Sequence, residues 1–391
     1  MLDLKNVRER LDQYKADLKK RHSTVHVEEI LALDDQRKAL QQQIDSLKFQ
    51  QKTLASQQDY EAAKALKTDI QAQESEYETL IKKLHPLLLQ MPNFLSSRVP
   101  TGKDETENVE IRRVGEVPTF DFSIQDHMSL MKKYDMVDFE RGAKIAGTRS
   151  YFLKNDGMLL EQAVQQYALQ KMIKKGFQPF IVPNIVNTEC LVGTGWFPGG
   201  EEDAYRLERD DQWLIATAEI PLTSYHTGDI LREDELPKKY VGLSPCYRRE
   251  AGSYGKDTAG LYRVHQFTKL EQVVILPEDV AMSDQFHAQI LANAEELLVD
   301  LGIPYRVLQL CAGDLAIGKY DSHDIECRMP SRNAYGETHS ATSFLDFQAR
   351  RLNLRYRDSE GNVKYCYTMN NTVVATPRIL IAIIENNQTA D

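Results

Sequence analysis

The first 85 residues of the chain contain neither glycine nor proline, whereas both residue types recur in the remainder. Glycine and proline are the residues that most often interrupt helices, so this opening segment is suited to long helices. Two series of apolar residues at heptad spacing run through it. The first comprises Ile30, Leu33, Leu40, Ile44, Leu47 and Leu54, and the second Ala63, Leu66, Ile70, Tyr77, Leu80 and Leu84. The pattern predicts two helices, each about 40 Å long.

The polar segment 56–59, Ser-Gln-Gln-Asp, separates the two series and predicts a tight reversal between the helices. The two helices would then pack along their apolar seams as an antiparallel coiled-coil hairpin over about residues 28–85. Taken alone, such a hairpin indicates either a dimerisation element or a spacer between domains.

Beyond the hairpin the composition changes. Pro86, the first proline of the chain, is predicted to end the second helix. Short apolar runs then alternate with helical stretches, a pattern typical of an α+β domain in which helices flank an antiparallel sheet. We therefore expect residues 1–105 to form a helical arm with its linker and residues 106–391 to form a second domain.

The bulk composition narrows the protein class. The net charge of −10 does not indicate a nucleic-acid-binding protein, although a local basic stripe can still hold a phosphate backbone. The five cysteines are scattered without a Cys-x-x-Cys pair, so neither a zinc site nor a disulfide framework is expected, which fits the reducing cytoplasm. No apolar run is long enough to span a bilayer, so we expect a soluble cytoplasmic protein without a membrane partner.

Residues 246–271 carry the densest functional pattern and are predicted to form a strand, a polar loop and a returning strand. Arg248 and Glu250 are two residues apart and would share one face of the first strand. Alternate residues of the second strand also share a face: Phe267, Lys269 and Glu271. Such a surface offers a guanidinium for phosphate, a ring for a base and a carboxylate for an ammonium group.

The order Arg-x-Glu, loop, His-Gln-Phe-x-Lys-x-Glu resembles motif 2 of the class II aminoacyl-tRNA synthetases, and in detail that of the seryl-tRNA synthetases of bacterial type. Further segments resemble the same family in the same order: 175–183 as motif 1, 217–219 as its Thr-Ala-Glu segment, 337–351, and 369–378 as motif 3. The resemblance implies a homodimer assembled through motif 1. It also implies that the N-terminal arm binds tRNA(Ser), with phosphate contacts from Lys38, Lys48, Lys52, Lys64 and Lys67.

The resemblance further implies roles in binding ATP. The implied ATP-binding residues are Arg248, Arg249, Glu250, Phe267, Glu337, Thr338, His339, Ser340 and Arg378, and the implied catalytic residues are Arg248, Arg263 and Arg378. Glu337 and Ser340 would hold Mg²⁺, which prefers hard oxygen ligands. His339 stands where the family usually has serine, and we interpret it as a neutral polar substitution.

For the amino acid, the implied serine-binding residues are Thr217, Ala218, Glu219, Arg248, Glu271 and Thr372. The implied reaction is ATP-dependent activation of L-serine to seryl-adenylate, followed by transfer of the seryl group to the 3′ end of tRNA(Ser), with tRNA(Sec) as a further candidate acceptor. Neither step requires a protein nucleophile.

Motif 3 departs from the family pattern, because the two glycines of its usual Asn-Gly-Ser-Gly are absent. Thr376 is predicted to cap a helix and Pro377 to occupy its first position. That arrangement would place Arg378 in the first turn of the apolar helix 379–384, where the helix dipole favours phosphate.

Two alternatives remain open. One is a synthetase paralogue that activates a small amino acid and passes it to a carrier protein; the long arm argues against it, because such relatives lack one. The other is a non-catalytic regulator with a synthetase fold. The retained charges at Arg248, Glu250, Glu271, Glu337 and Arg378 argue against loss of activity.

Overall fold

The computed structural model describes residues 1–251 and 259–390. The segment 252–258, which belongs to the predicted motif 2 loop, lies outside the described residues. The chain divides into two compact units, Met1–Pro92 and Asn93–Asp391.

The first unit is helical throughout its regular structure. Its helices are α1 (Leu4–Glu9), α2 (Leu11–Lys20), α3 (Val27–Ser56) and α4 (Tyr60–Gln90). Helices α3 and α4 pack on each other through the two predicted apolar series, whose members are buried or half-buried. Leu31 and Asp34, which lie off the series, are buried as well. The reversal lies where the sequence predicts it, and the Asp59 carboxylate caps α4 by accepting from the Ala62 amide at 3.1 Å. The predicted coiled-coil hairpin is confirmed.

The end of the hairpin differs from the prediction, since α4 does not stop at Pro86 but continues to Gln90. Proline removes one amide donor from a helix, yet the turns on either side retain their own hydrogen bonds. Leu84 and Met91, which flank this turn, are fully buried. Burial of these apolar side chains therefore outweighs the single lost hydrogen bond.

A buried carboxylate ties the base of the arm together. Asp34 is only 2% exposed and accepts hydrogen bonds from Arg37 at 2.8 Å and Arg8 at 3.0 Å, while Lys38 lies 2.9 Å away. Burial alone would raise the pKa of Asp34, but the three cations hold it below its ordinary value. Lys38, one of the lysines predicted to contact tRNA, is thus already engaged in an ion pair.

The second unit is built on a central eight-stranded sheet. The helices of this unit are α5 (His127–Lys133), α6 (Phe139–Ala146), α7 (Asp156–Lys174), α8 (Thr188–Thr194), α9 (Glu219–Ser224), α10 (Val280–Asp300), α11 (Phe347–Leu352) and α12 (Arg378–Asn386). Short 3₁₀ turns occur at Glu105–Glu107, Glu201–Asp203, Glu233–Glu235 and Pro330–Arg332.

The described strands are β1 (Val109–Val114), β2 (Val137–Asp138), β3 (Phe152–Leu153), β4 (Gln178–Ile181), β5 (Ile185–Asn187), β6 (Arg206–Leu207), β7 (Gln212–Leu214), β8 (Ile230–Arg232), β9 (Lys238–Tyr247), β10 (Gln266–Leu276), β11 (Tyr305–Gln309), β12 (Asp321–Met329), β13 (Ala334–Leu345), β14 (Arg355–Arg357), β15 (Val363–Tyr365) and β16 (Tyr367–Thr376). The central order is β1-β11-β12-β13-β16-β10-β9-β4. Every neighbouring pair is antiparallel except β4 and β9, which are parallel. The predicted α+β architecture is confirmed.

Strand β10 shows how the sheet serves two purposes. On one face, Leu270 and Val274 pack into the main core against α7, α10 and α12. On the opposite face, Val273 and Ile275 pack into a second core with α8, α9 and α11. Toward the start of the strand this second face becomes polar, and the change marks the floor of a cavity. Within the described residues, no helix is long and apolar enough to cross a membrane.

Candidate active site

A cavity of about 550 Å³ opens over the polar end of the central sheet. Predicted site residues from five different segments line it: Thr217, Glu219, Arg248, Glu250, Phe267, Glu271, Glu337, Thr338, His339, Ser340, Thr372 and Arg378. Residues up to 161 apart in the sequence, from Thr217 to Arg378, thus meet at one place. A cavity that gathers charged groups in this way is the default site for a polar ligand.

The predicted hairpin is present, but its first strand is shorter than expected. Strand β9 ends at Tyr247, so Arg248 and Glu250 lie just beyond it rather than on one strand face. The pairing nevertheless extends by one residue, because the Arg248 amide donates to the His265 carbonyl at 3.0 Å. Glu250 has a positive φ of 54°, and this local turn brings its side chain back toward the cavity.

Arg248 lines the cavity with its guanidinium over two aromatic rings. Its guanidinium carbon is 5.3 Å from the Phe267 ring centroid and 5.9 Å from that of Trp196. Its Nε is buried without a hydrogen-bond partner, and no described residue forms an ion pair with it. Aromatic faces fix a guanidinium without using its N–H groups. The arrangement leaves those donors for an anionic ligand.

A β-bulge decides which residues of β13 face the cavity. Ser340 pairs with Asp324 and Glu337 pairs with Glu326, so the two β13 residues, three apart in sequence, oppose β12 residues only two apart. The extra residue is Thr338, whose hydroxyl oxygen lies 3.2 Å from the Ile325 carbonyl oxygen. A bulge of this kind shifts the alternation by one position. Glu337 and Ser340 therefore share the cavity face, which regular alternation would forbid.

Glu337 and Arg378 form the anionic and cationic pair at this end. The Arg378 Nη1 donates to the Glu337 carboxylate at 3.2 Å and to the Glu337 carbonyl at 2.9 Å. The Arg378 guanidinium also stacks on the Tyr262 ring, 4.5 Å from its centroid. Burial would raise the pKa of Glu337, but Arg378 and Arg248 hold it below its ordinary value, so the carboxylate is ionised at neutral pH.

Motif 3 places Arg378 as predicted but by a different route. Arg378 is the first residue of α12, in its first turn, whereas Thr376 is the last residue of β16 and does not cap the helix. The cap position is occupied by Pro377 without a side-chain hydrogen bond, so the predicted capping role of Thr376 is wrong. The Thr376 hydroxyl is instead bonded to the Glu161 carboxylate and to the Thr268 carbonyl. Thr376 lies one residue before the cap position, and its hydroxyl contacts α7 instead of the helix terminus.

The opposite end of the cavity has the complementary chemistry for an amino acid. The Glu271 carboxylate is buried, lies 2.6 Å from the Lys269 ammonium and accepts from the Thr372 hydroxyl at 3.2 Å. Nearby, Glu219 is 8% exposed. Burial, followed by repulsion from Glu271, raises the pKa of Glu219 to about 7. The protonation state of Glu219 near pH 7 therefore depends on whether a cation enters the cavity.

His339 is buried and structural in its contacts. Its Nε2 lies 3.1 Å from the Val373 carbonyl, and its Nδ1 lies 2.8 Å from the Thr338 hydroxyl. Burial lowers the pKa of His339 to about 4, so the imidazole is neutral at physiological pH. A neutral imidazole with both nitrogens engaged links β13 to β16.

Three predicted site residues are not among the lining residues. The Ala218 side chain is fully buried in the second core. Arg249 is exposed, and its guanidinium lies over the Tyr205 ring, 5.7 Å from the centroid. Arg263 donates to the Glu250 carboxylate at 3.2 Å and thus meets the cavity through Glu250.

Several lining residues were not predicted as site residues: Trp196, Lys269, Lys319 and Asn370. The alternation of β10 places Lys269 on the face of Phe267 and Glu271, although the family resemblance assigns it no ligand. The same reasoning from Thr372 on β16 gives Asn370. Trp196 and Lys319 come from loops with no periodic signal, so the sequence offers no means of finding them.

The oxygen donors suit a magnesium ion with few protein ligands. Among the residues that the structure describes, no group of three or more His, Cys, Asp or Glu side chains forms a metal site. Magnesium commonly takes only one or two protein oxygens, keeps waters and binds substrate phosphates. The side chain of Glu337 is 46% exposed, and Ser340 adds a hydroxyl on the same face, so this donor set fits Mg²⁺ better than a softer metal.

Comparison with known proteins identifies the class. Residues 205–387 match the family model of the tRNA synthetase class II core domain (G, H, P, S and T), and residues 1–95 match that of the seryl-tRNA synthetase N-terminal domain. The fold and cavity described above are thus those of a class II aminoacyl-tRNA synthetase.

Full-length relatives define the family. A serine–tRNA ligase from Deinococcus radiodurans is 42% identical over 401 residues, which cover 100% of this chain and 94% of the relative. The structure of seryl-tRNA synthetase from Pyrococcus horikoshii complexed with ATP is 36% identical with a TM-score of 0.94, covering 100% of this chain and 95% of that one. The structure of the cytoplasmic serine–tRNA ligase from Naegleria fowleri in complex with AMP is 30% identical with a TM-score of 0.88, covering 97% and 91%. The chain belongs to the seryl-tRNA synthetase family.

Proposed function

We propose that this protein is a serine–tRNA ligase that activates L-serine with ATP and transfers the seryl group to the 3′ end of tRNA(Ser). The observation that carries the proposal is a single cavity lined both by arginines and an aromatic ring and by buried carboxylates and hydroxyls. Membership of the seryl-tRNA synthetase family supports the choice of substrates. Transfer to tRNA(Sec) is a further proposal, because one enzyme can accept both.

At the ATP end, Arg248 binds the α-phosphate together with the serine carboxylate. The fork of a guanidinium matches two oxygens at once, and Arg248 lines the cavity. Phe267 stacks on one face of adenine and Arg378 on the other, with Glu250 near the exocyclic amine. To stack on adenine, Arg378 leaves the Tyr262 ring on which it now lies. Arg263 reaches the triphosphate tail when its hydrogen bond to the Glu250 carboxylate opens.

At the serine end, Glu271 accepts the ammonium group, while Thr217 and Thr372 bond the side-chain hydroxyl. A hydrogen-bonding pocket rejects alanine, because alanine would leave the buried polar groups of the site unpaired. The buried contact of Glu271 with Lys269, at 2.6 Å, supports this assignment, since it fixes the carboxylate where it lines the cavity.

Glu337 and Ser340 would hold Mg²⁺, which when bound neutralises charge on the triphosphate. The part played by the chain itself is alignment. The serine carboxylate attacks the α-phosphorus, pyrophosphate leaves, and a 3′-terminal ribose hydroxyl then displaces AMP from the seryl carbonyl. Holding both reactants in one orientation and neutralising phosphate charge accounts for such catalysis without a protein nucleophile.

The proposed assembly is a homodimer through the edge strand β4. Ile181 at the end of this strand is 92% exposed, and Met158, Leu159, Tyr167, Ile173 and Ile185 are also exposed. Apolar side chains concentrated beside an unpaired sheet edge are typical of a protein interface. A second copy of the chain is the partner that the family resemblance implies.

The N-terminal arm is proposed to bind the tRNA. Of the lysines predicted to contact phosphate, Lys38 and Lys48 form ion pairs with Asp34 and Glu74 at 2.9 and 2.7 Å. Phosphate binding by these two lysines would require exchange of those partners.

The test is ATP–pyrophosphate exchange measured with each of the twenty amino acids, followed by charging of tRNA(Ser). Exchange that depends on serine and charging of tRNA support the proposal. Serine-dependent exchange with transfer to a carrier protein, but not to tRNA, would favour the paralogue. Absence of exchange with every amino acid would favour a regulator.

A further inference from the structure

Gln348, in α11, is a buried amide whose hydrogen-bonding groups are all engaged. It is 1% exposed. Its Oε1 accepts from the Thr368 hydroxyl at 2.6 Å, and its Nε2 donates to the Thr194 carbonyl at 3.0 Å and to the Glu219 Oε1 at 2.9 Å. Gln348 does not line the cavity, but Glu219 and Thr194 do.

The orientation of this amide is determined by its partners. The Thr194 carbonyl can only accept, so the NH₂ group must face it. The Thr368 hydroxyl can donate to the remaining oxygen, which completes the set. A flipped amide would set two acceptors against each other at Thr194. The Gln348 side chain therefore points a donor at Glu219 and cannot reverse without losing hydrogen bonds.

The Glu219 carboxylate needs such a donor, because its surroundings oppose its charge. Burial and the neighbouring Glu271 both favour the protonated form, whereas Lys269 and Lys319 favour the ionised form. The hydrogen bond from Gln348 also favours the ionised form. Gln348 engages only Oε1, and no described residue is recorded as a donor to Oε2. The second oxygen of Glu219 is thus left for a ligand.

We propose that Gln348 is a positioning residue that holds the Glu219 carboxylate with one oxygen fixed and the other presented to the amino acid in the cavity. The amino acid that Glu219 meets follows from the function proposed above, so this inference rests on it. Gln348 acts through Glu219 and does not touch substrate. The relay from Thr368 through Gln348 to Glu219 joins β16 to α9 through α11.

The test compares two buried amides in full-length protein. Gln348→Met preserves the volume of the side chain and removes its donor. We expect the KM for serine in pyrophosphate exchange to rise about tenfold or more, because that is the factor expected for losing a hydrogen bond to a charged group. The KM for ATP should change less than about twofold. The matched control is Gln272→Met. Gln272 is equally buried, bonds the Ile290 carbonyl at 2.8 Å, and faces away from the cavity, so its loss should leave the serine KM unchanged.

Dependence on Glu219 is tested by a double-mutant cycle. If Gln348 acts only through Glu219, adding Gln348→Met to Glu219→Gln should raise the serine KM no further. Thr368→Val, which releases the amide while keeping the donor, should give a smaller increase of about two- to tenfold. This milder variant decides the matter if Gln348→Met does not fold. An unchanged serine KM in the single variants, equal effects on serine and ATP, or a fully multiplicative double variant would overturn the proposal.

A second measurement is independent of catalysis. Burial raises the pKa of both Glu219 and Asp324 to about 7. The Glu219 titration is therefore measured as the infrared difference between the native protein and Glu219→Gln, in which the Asp324 signal cancels. Because Gln348 stabilises the ionised form, Gln348→Met should move this titration to higher pH, and serine binding should be lost at a correspondingly higher pH on acidification. An unmoved titration would refute the link between the two residues. If the native protein lacked serine-dependent exchange, the proposed function would fail while this titration still decided the role of Gln348.

Discussion

Removal of the Arg248 guanidinium is expected to abolish adenylate formation without weakening the fold. Arg248 is held by two aromatic faces, while its Nε has no hydrogen-bond partner among the described residues. Within residues 1–251 and 259–390, its loss therefore removes no side-chain hydrogen bond that the structure shows. The thermal midpoint of Arg248→Ala should remain at the native value or rise slightly, as is common when a poised binding residue is removed.

The effect on catalysis follows from the geometry of the guanidinium fork. Two charge-assisted hydrogen bonds to phosphate and carboxylate oxygens contribute about 1.5–3 kcal/mol each. Losing both corresponds to about 3–6 kcal/mol, or about 10²–10⁴-fold in kcat/KM. Arg248→Lys keeps the charge but not the bidentate contact and should lose about 10–100-fold.

Serine-dependent ATP–pyrophosphate exchange measures this loss, with thermal unfolding in parallel. Arg357→Ala is the control, because Arg357 is exposed and bonds only the Gly361 carbonyl among the contacts found, at 2.9 Å. An Arg248→Ala variant within tenfold of the native rate would contradict the reasoning. So would a lysine variant of full activity, since it would mean that the fork is irrelevant.

Three further outcomes are expected. Thr372→Val should raise the serine KM about tenfold, because the hydroxyl that bonds Glu271 is lost. The serine KM of Thr372→Ser should stay near the native value. Equal kinetics of the two variants would argue against this contact. Ile181→Glu places a charge at the β4 edge of the sheet and should convert the dimer to a monomer in sedimentation velocity. Val363→Glu, a change at another exposed site, should not do so. A dimer that persists in Ile181→Glu would exclude the β4 edge as the interface. Asp34→Asn should destabilise the protein by about 2 kcal/mol in denaturant titration, since three cations lose their carboxylate. Folding lowers the pKa of Asp34, so its contribution to the free energy of unfolding is complete above the unfolded pKa of about 4 and is lost as the pH falls below that value. A difference in unfolding free energy between native protein and variant that persists at pH 2 would contradict the assignment.

Much of the architecture could be predicted from local patterns. The heptad series gave the hairpin because two-helix packing repeats on a scale that the sequence displays directly. The alternation of Phe267 and Glu271 gave one wall of the cavity, since strand geometry fixes which residues share a face. Both inferences use neighbours in sequence, and both hold in the structure.

The remainder depends on competition between distant groups. Thr376 is a good helix cap by residue type, but β16 continues through it and its hydroxyl contacts Glu161 of α7, so the cap position falls on Pro377. Pro86 is a helix breaker by residue type, but buried neighbours carry the helix past it. The bulge at Thr338 has no sequence signature, because it arises from pairing with β12. In each case a contact made elsewhere in the fold outweighs the local preference.

The shared backbone of β10 has a consequence for molecular recognition. The strand that carries Phe267 and Glu271 continues directly into residues clamped on both faces by close-packed side chains. Such a floor is rigid before any ligand arrives, so little freedom is surrendered there on association and more of the contact energy remains as affinity. Because the floor is rigid, a change of side-chain volume at Val273 or Ile275 should alter the amino-acid specificity of the protein, although neither side chain lines the cavity.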